Sequence, residues 1–431
     1  MKKWLPKMLT LSLILMLVLT ACSSGSTNNA ASSSPTDSGT ASTPSPSATP
    51  TPAQKIVINF AAQADSTPGT QSLIDAFNKS QDKYTVKWTQ MTNDSAQMHD
   101  QLLNSLSSGS SEYDILSMDV VWAGEFAGAG YLEPLDLKMK DAGFKKSDFN
   151  AGSMASGYYQ GKQFTLPFFP DLGLLYFRKD IVSQADADKL VSGNYTYDDL
   201  YNMSKKYVGQ KSTKYGLLYQ SKQYEGLTVN VTEFTKSFSD VKGGLEMMYK
   251  FTKAPFEPKD LLNYTEGETH TNFEQGNAVF ARNWPYAFGR INTKQEGVKL
   301  TVDQVGVAPL PNGGSVGGWL LGINKNTKNM DGVWSFLKFA AGQEGQKIMS
   351  TQGSYLPGYN ALLKDSEVTS KNVMLTYPGF QKALETTIAR PVSPQYSKVS
   401  DAIQLAAHKY LSSGTGLDQA VTTIQDAVKG K

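Results

Sequence analysis

Lys55-Ile-Val-Ile-Asn-Phe-Ala61, Tyr84-Thr-Val-Lys-Trp88 and Tyr113-Asp-Ile-Leu-Ser-Met118, with the segments between them, decide the fold. The β-branched and aromatic content and the alternation of these stretches mark them as strands. Between the first two, residues 70–79 carry Leu73, Ile74 and Phe77 at helical spacing. Between the second and third, residues 97–106 set Leu102, Leu103 and Leu106 on one face of a helix. Strand, helix, strand, helix, strand with short links specifies parallel strands joined by crossover helices, an α/β architecture. Ligands of such sheets sit beyond the carboxyl ends of the strands, where strand order switches. Asp65 and Asp119 follow the first and third strands, so both are ligand candidates, with helix capping as the competing role.

Outward from this unit the pattern recurs. Residues 173–178, 304–310 and 319–323 read as strands and residues 197–207 as a helix. Residues 331–340 form an amphipathic helix with Val333, Phe336, Leu337 and Ala340 on one stripe, and 400–411 and 417–428 are further helices. No internal repeat or heptad run occurs. The body from about residue 55 to 431 is long enough for two domains.

The amino-terminal stretch is of another kind. Lys2, Lys3 and Lys7 precede an apolar run at 9–19 broken only by Thr10 and Ser12, and Leu19-Thr20-Ala21 leads into Cys22. Residues 1–21 therefore read as a signal peptide. Its end resembles a bacterial lipobox, which implies cleavage before Cys22 and lipid on that cysteine; an uncleaved membrane anchor is the alternative. Cys22 is the only cysteine, so no disulfide forms within the chain. Residues 22–54 are Ser, Thr, Ala, Asn, Gly and Pro with little else, and Asp37 is the one charge between 23 and 52. Such a stretch has no apolar surface to bury and reads as a disordered tether stiffened by Thr43-Pro44-Ser45-Pro46 and Thr49-Pro50-Thr51-Pro52.

Loss of Lys2, Lys3 and Lys7 with the signal peptide takes 41 basic residues to 38, against 39 acidic. A near-neutral surface excludes nucleic acid and strongly charged ligands as the expected partners. Aromatic residues make up 11% of the chain, with 21 Tyr and 6 Trp, which favours a ligand with stacking faces although much of this content must be core. Enzyme signatures are missing. His99, His270 and His408 are the only histidines and lack metal-ligand spacing, and no nucleophile elbow, P-loop, dinucleotide fingerprint or calcium loop occurs. Gly313-Gly-Ser-Val-Gly-Gly318 lacks a following Lys-Ser/Thr and reads as a loop near a ligand. Paired carboxylates are plentiful, so a glycosidase stays open at this level. No cofactor and no metal is expected, and binding is favoured over catalysis.

A sugar presents apolar C–H faces and a ring of hydroxyls, so its receptor needs flat aromatics beside paired acceptors and donors. Asp119-Val-Val-Trp122 sets a carboxylate at a strand end with an indole nearby. Phe169-Pro-Asp171 places a ring and a carboxylate two apart in an extended segment, hence on one side. Arg282-Asn-Trp284-Pro-Tyr286 supplies two aromatics, Gly317-Gly318-Trp319 allows close backbone approach beside an indole, and Arg390-Pro391 offers a forked donor on a loop. Trp122 and Phe168 are core residues on the plainer reading, and Tyr355 and Tyr377 fit either role.

These strings resemble the family 1 extracellular solute-binding proteins of ABC importers, and within it the trehalose/maltose-binding branch. The resemblance is carried by Met118-Asp-Val-Val-Trp-Ala-Gly-Glu-Phe-Ala127, Gly130-Tyr-Leu-Glu-Pro-Leu-Asp136, Leu174-Leu-Tyr-Phe-Arg-Lys-Asp180 and Gln223-Tyr-Glu-Gly-Leu227. It continues through Phe273-Glu-Gln-Gly-Asn-Ala278, Arg282-Asn-Trp-Pro-Tyr286, Val305-Gly-Val-Ala-Pro-Leu-Pro311, Gly317-Gly-Trp319 and Arg390-Pro-Val-Ser-Pro394. It implies a two-lobed, periplasmic-binding-protein-like α/β fold of type II, with three interlobe crossovers and a ligand cleft between the lobes. The expected lobes are 55–168 with 306–347 and 169–305 with 348–431. Asp119, Phe169, Asp171, Trp284, Tyr286, Gly318, Trp319 and Arg390 match the family's sugar contacts, with Asp65 added from its place after the first strand. Phe169 stands where the branch often has tyrosine, Asp65-Ser-Thr-Pro-Gly69 replaces an expected glutamate, no arginine occurs near Gln97-Met-His-Asp100, and 232–253 is shortened.

The implied protein is a monomeric, non-enzymatic lipoprotein on the outer face of a bacterial cytoplasmic membrane. It would bind a neutral di- or oligosaccharide, a trehalose- or maltose-like α-glucoside, by hinge closure and deliver it to ABC permease transmembrane subunits. A carbohydrate-active enzyme using an Asp/Glu pair and a sugar-sensing receptor for a membrane kinase are the alternatives.

Overall fold

The computed structural model describes residues 55–391, 393 and 395–430; the expected signal peptide, Cys22 and the tether lie outside the described residues. Its strands are β1 (Ile56–Gln63), β2 (Tyr84–Met91), β3 (Ile115–Asp119), the hairpin β4 (Tyr158–Tyr159) and β5 (Lys162–Gln163), β6 (Thr165–Leu172) and β7 (Leu174–Arg178). They continue with β8 (Tyr215–Leu218), β9 (Ala278–Asn283), β10 (Val305–Ala308) and β11 (Val316–Ile323). Apart from the hairpin they form two sheets, one in the order β2-β1-β3-β11-β6 and the other β10-β7-β9-β8.

β1 runs parallel to both β2 and β3, as the crossover helices Gly69–Ser80 and Ser95–Ser107 require. β11 and β6 then extend the same sheet antiparallel, so the sheet is mixed. Alternation along β1 sends Ile58, Phe60 and Ala62 into one apolar layer and Ala61 into the layer on the other face. Phe60 packs edge-on against Phe168 and Phe336 at 5.7 and 5.5 Å, which makes Phe168 a core residue. Each such ring contributes about 1.5–3 kcal/mol by leaving water. A larger core surrounds the four-stranded sheet and takes in the carboxy-terminal helices through Ile403, Leu411 and Ile424.

The chain leaves the five-stranded sheet at Leu172 for β7, and returns from β10 to β11. These passages fall a few residues from the lobe edges that the resemblance implied. β6 stays paired with β11 as far as Leu172, and β10 pairs with β7, so 169–172 go with the first sheet and 306–308 with the second. Met349, on helix Gln343–Gly353, also packs into a core of the first sheet, past the expected edge at 347. Gly173 marks one turning point for a steric reason: a Cβ there would meet Glu233 Oε1 at 2.1 Å and Arg282 Nη2 at 2.7 Å.

Those two side chains form a buried ion pair, with Arg282 Nε to Glu233 Oε2 at 2.8 Å and Nη2 to Oε1 at 2.6 Å. Glu233 Oε1 also accepts from the backbone N–H of Ser315 at 2.9 Å. Ser315 bridges in turn to Ile388. Both passages between the sheets, at Gly173 and at Ser315, therefore lie against one buried pair.

Candidate functional site

A cavity of about 370 Å³ opens between the two sheets. The first sheet supplies Gln63, Asp119, Phe169, Asp171, Gly317, Gly318 and Trp319. The second side supplies Tyr224, Glu225, Thr265, Glu266, Trp284, Tyr286 and Arg390, while residues 92–95 and Tyr355 complete the wall. Eight of the nine binding residues expected from sequence thus meet in one cavity.

Asp65 is the ninth and is not part of this wall. Its Oδ1 accepts from the backbone N–H and hydroxyl of Thr67 and from the Tyr355 hydroxyl, and its Oδ2 accepts from the N–H of Thr70. Capping therefore wins at this position. Asp65 acts on the cavity indirectly, since it holds the Tyr355 ring, which packs on Phe169 at 4.4 Å.

β6 alternation explains Phe169 and Asp171, which share one face of the strand. Asp171 lines the cavity, and no described side chain is hydrogen-bonded to its carboxylate. Burial pushes this carboxyl well above the usual carboxylate range; Arg282 opposes the shift and the nearby Asp119 adds to it. Gly318 adopts φ +118°, and a Cβ there would lie 2.7 Å from the carbonyl oxygen of Phe169. The register between β11 and β6 shifts immediately afterward, between Trp319 and Leu320. Trp319 lines the cavity and is backed edge-on by the buried Trp122 at 5.5 Å.

Trp284 is held on several sides. Arg282 lies 4.0 Å from its ring, its Nε1 donates to Glu266 Oε1 at 3.3 Å, and its carbonyl accepts from the Tyr176 hydroxyl at 2.8 Å. The other Glu266 oxygen accepts from the Tyr224 hydroxyl. Arg390 reaches across to Asp119, with Nη2 to Oδ1 at 2.6 Å. Its Nη1 also donates to Glu225 Oε1 at 2.9 Å.

Sequence reasoning missed Glu225, Glu266, Tyr224 and the 92–95 loop. Glu225 and Glu266 open the helices Glu225–Phe234 and Glu266–Glu274, and Asp94 caps Ser95–Ser107. Helix Pro285–Asn292 also begins at the cavity, with Trp284 at its cap. Four helix amino termini thus face a wall holding more carboxylates than cations, and their positive ends offset that excess. Acidic residues in first turns are common helix-starting chemistry, so nothing local distinguishes these two as cavity residues.

The arrangement offers aromatic faces with acceptors and donors at their edges and a small net charge. It suits a polar ligand with apolar faces. Among the described residues no three His, Cys, Asp or Glu side chains are grouped to hold a metal ion.

Comparison with known proteins agrees with this geometry. Residues 63–347 match the family model for bacterial extracellular solute-binding proteins. A probable ABC transporter-binding protein of Deinococcus radiodurans is 27% identical over 79% of this chain and 85% of its own length. A maltotriose-binding protein of Pyrococcus abyssi is 27% identical over 67% of this chain and 64% of its own. Among solved structures, maltose-bound MalE3 of T. maritima superposes with a TM-score of 0.77 at 25% identity, over 87% of this chain and 99% of that one. The GacH receptor of Streptomyces glaucescens shares the two-lobed fold at a TM-score of 0.72 and 19% identity, over 88% and 98%. With more than half of its length, residues 63–347, matched by the family model, the chain belongs to the bacterial extracellular solute-binding proteins.

Proposed function

We propose that this protein captures a neutral di- or oligosaccharide, an α-glucoside of the trehalose or maltose type, for an ABC sugar importer. The observation that carries the reading is the cavity itself, in which Trp284, Tyr286, Trp319, Phe169 and Tyr355 alternate with Asp171, Asp119, Glu266 and Arg390. Stacking surfaces take the C–H faces of the sugar, and the carboxylates and the guanidinium take its hydroxyls. The volume of about 370 Å³ is at the small end of the range of about 300–1,000 Å³ for small-molecule sites, which favours a short saccharide. Two similar proteins, one maltotriose-binding and one maltose-bound, point the same way.

In this reading Asp119 and Asp171 accept from hydroxyls, Arg390 donates, Gly318 admits the ligand to the backbone, and the aromatics stack. Closure of the two lobes about the 173 and 309–315 linkers brings both walls onto the sugar and presents a joined surface to the permease. Lipid on Cys22 and the tether of 22–54 keep the receptor, as a monomer, at the outer face of the membrane. Intrinsic tryptophan fluorescence tests the ligand class, since Trp284 and Trp319 line the cavity. Neutral α-glucosides should change the emission saturably, and a sugar phosphate of the same size should not. Saturation by the phosphate with no response to neutral sugars would refute the proposal.

A further inference from the structure

Arg390 sits where three elements meet. β3 ends at Asp119, helix Glu225–Phe234 starts at Glu225, and helix Tyr396–Ser413 starts just beyond Arg390. The guanidinium is 3% exposed, against 12% for the Asp119 side chain and 14% for that of Glu225. Besides the bonds already described, Nη1 lies 3.3 Å from Asp119 Oδ2. Glu225 is closed by two further donors, the Tyr396 hydroxyl on Oε1 and Ser400 Oγ on Oε2 at 2.6 Å. Ser400 is fixed in turn by Thr228 at 2.7 Å and Gln404 at 2.9 Å.

One cation here faces two carboxylates, although Asp119 alone would neutralise it. A second buried carboxylate is costly unless its lone pairs are bonded, and Glu225 meets that condition with three donors and a place in the first turn of its helix. Burial still raises the Glu225 carboxyl above its usual range, with Arg390 pulling it back and Asp119 adding to the rise. The geometric return is a fixed guanidinium plane. A single carboxylate lets the long arginine side chain pivot, whereas carboxylates on both sides of Nη1 hold the fork in one orientation. With both Nη groups engaged, Nε has no acceptor among the described residues and is the donor left over.

We propose that Glu225 is a positioning residue for the ligand contact of Arg390, fixing the guanidinium between helix Glu225–Phe234 and the end of β3. The proposal rests on the sugar-binding reading for its effect on affinity. Glu225 also lines the cavity, so its action through Arg390 must be separated from a direct contact.

A double-mutant cycle on the purified protein makes that separation, with the saccharide that binds the wild type as probe. Glu225→Gln should weaken binding about tenfold, the scale of a buried charge-assisted hydrogen bond. In an Arg390→Gln background the same change should cost less than about twofold, because the group it positions is gone. Equal losses in both backgrounds, or wild-type affinity for Glu225→Gln, would overturn the proposal.

A ligand-free measurement keeps the test independent of the sugar. The chain has four arginines, Arg178, Arg282, Arg290 and Arg390, so Arg390 is assigned in a nitrogen-15 side-chain spectrum by its loss in Arg390→Gln. Its Nη–H signals should be slow-exchanging in the wild type and should lose that protection in Glu225→Gln. Unchanged Arg390 signals would refute the positioning role. Lost protection in a protein that binds no sugar would uphold the positioning and refute the sugar reading alone.

Discussion

Replacing Gly317 by alanine should lower sugar affinity without unfolding the protein. The glycine backbone is outside the left-handed region, so alanine meets no conformational strain at this site. Its Cβ, however, would lie 2.7 Å from Trp284 Cζ3 and 2.9 Å from Cη2, whereas ordinary contact begins at 3.4 Å. The ring must retreat by the difference, 0.7 Å. It cannot recede toward Arg282, which is at 4.0 Å and locked to the buried Glu233. Tilting instead disturbs the Nε1 bond to Glu266 at 3.3 Å and moves the stacking face.

An aromatic stacking contact contributes about 0.5–1.5 kcal/mol beyond its buried area. Losing most of it gives about 0.5–1.5 kcal/mol, or a factor of about 2–13 in affinity. Fold stability should change little, because alanine at a permissive position recovers about 0.4–1 kcal/mol through the unfolded chain, which offsets a weakened Nε1 bond of about 0.5–1.5 kcal/mol. Calorimetric titration beside thermal unfolding measures both quantities. Affinity within about twofold of wild type would refute the argument that Gly317 exists to admit the Trp284 ring.

Further outcomes follow from other parts of the molecule. Glu233→Gln breaks a pair whose side chains are 0% and 2% exposed and should cost about 3–5 kcal/mol in urea unfolding; a cost under about 1 kcal/mol would show that the linkers do not depend on it. His99 is buried, which lowers its pKa, but Glu125 at 3.1 Å and then Asp100 outweigh burial and raise it above the ordinary histidine range. A raised histidine contributes stability that is complete below about pH 6.5 and lost as pH rises through the folded value. His99→Gln should therefore destabilise more at about pH 6 than at about pH 9, and the reverse order would contradict the pairing. Cys22→Ser should release the receptor from the membrane fraction into the medium, and continued membrane association would argue for an uncleaved anchor instead.

The first three strands and two helices were legible because their apolar periodicity answers directly to local burial. Helices Tyr197–Tyr207 and Leu417–Val428 have the bounds their patterns predict. β11 starts earlier than expected, at Val316, since Gly317 and Gly318 carry no strand propensity and owe their pairing to β6. The antiparallel β11 and β6 in the first sheet were likewise invisible locally, because their partners come from distant sequence.

The site divides along the same line. Phe169 with Asp171, and Trp284 with Tyr286, could be read from spacing within a single segment. Asp65 could not be told from a ligand residue until its oxygens were seen to be filled by Thr67, Thr70 and Tyr355. Glu225 and Glu266 escaped notice because only the folding of their helix starts toward one cavity gives them a role.

Calorimetric titration of the purified protein with trehalose, maltose and maltotriose, followed by a search of the cell for cleavage products, tests the central claim most directly. The account predicts saturable binding of at least one sugar, with no products and with binding weakened by Trp284→Ala. Silence across the panel would contradict the α-glucoside assignment, and released products would contradict a receptor that performs no chemistry on its ligand.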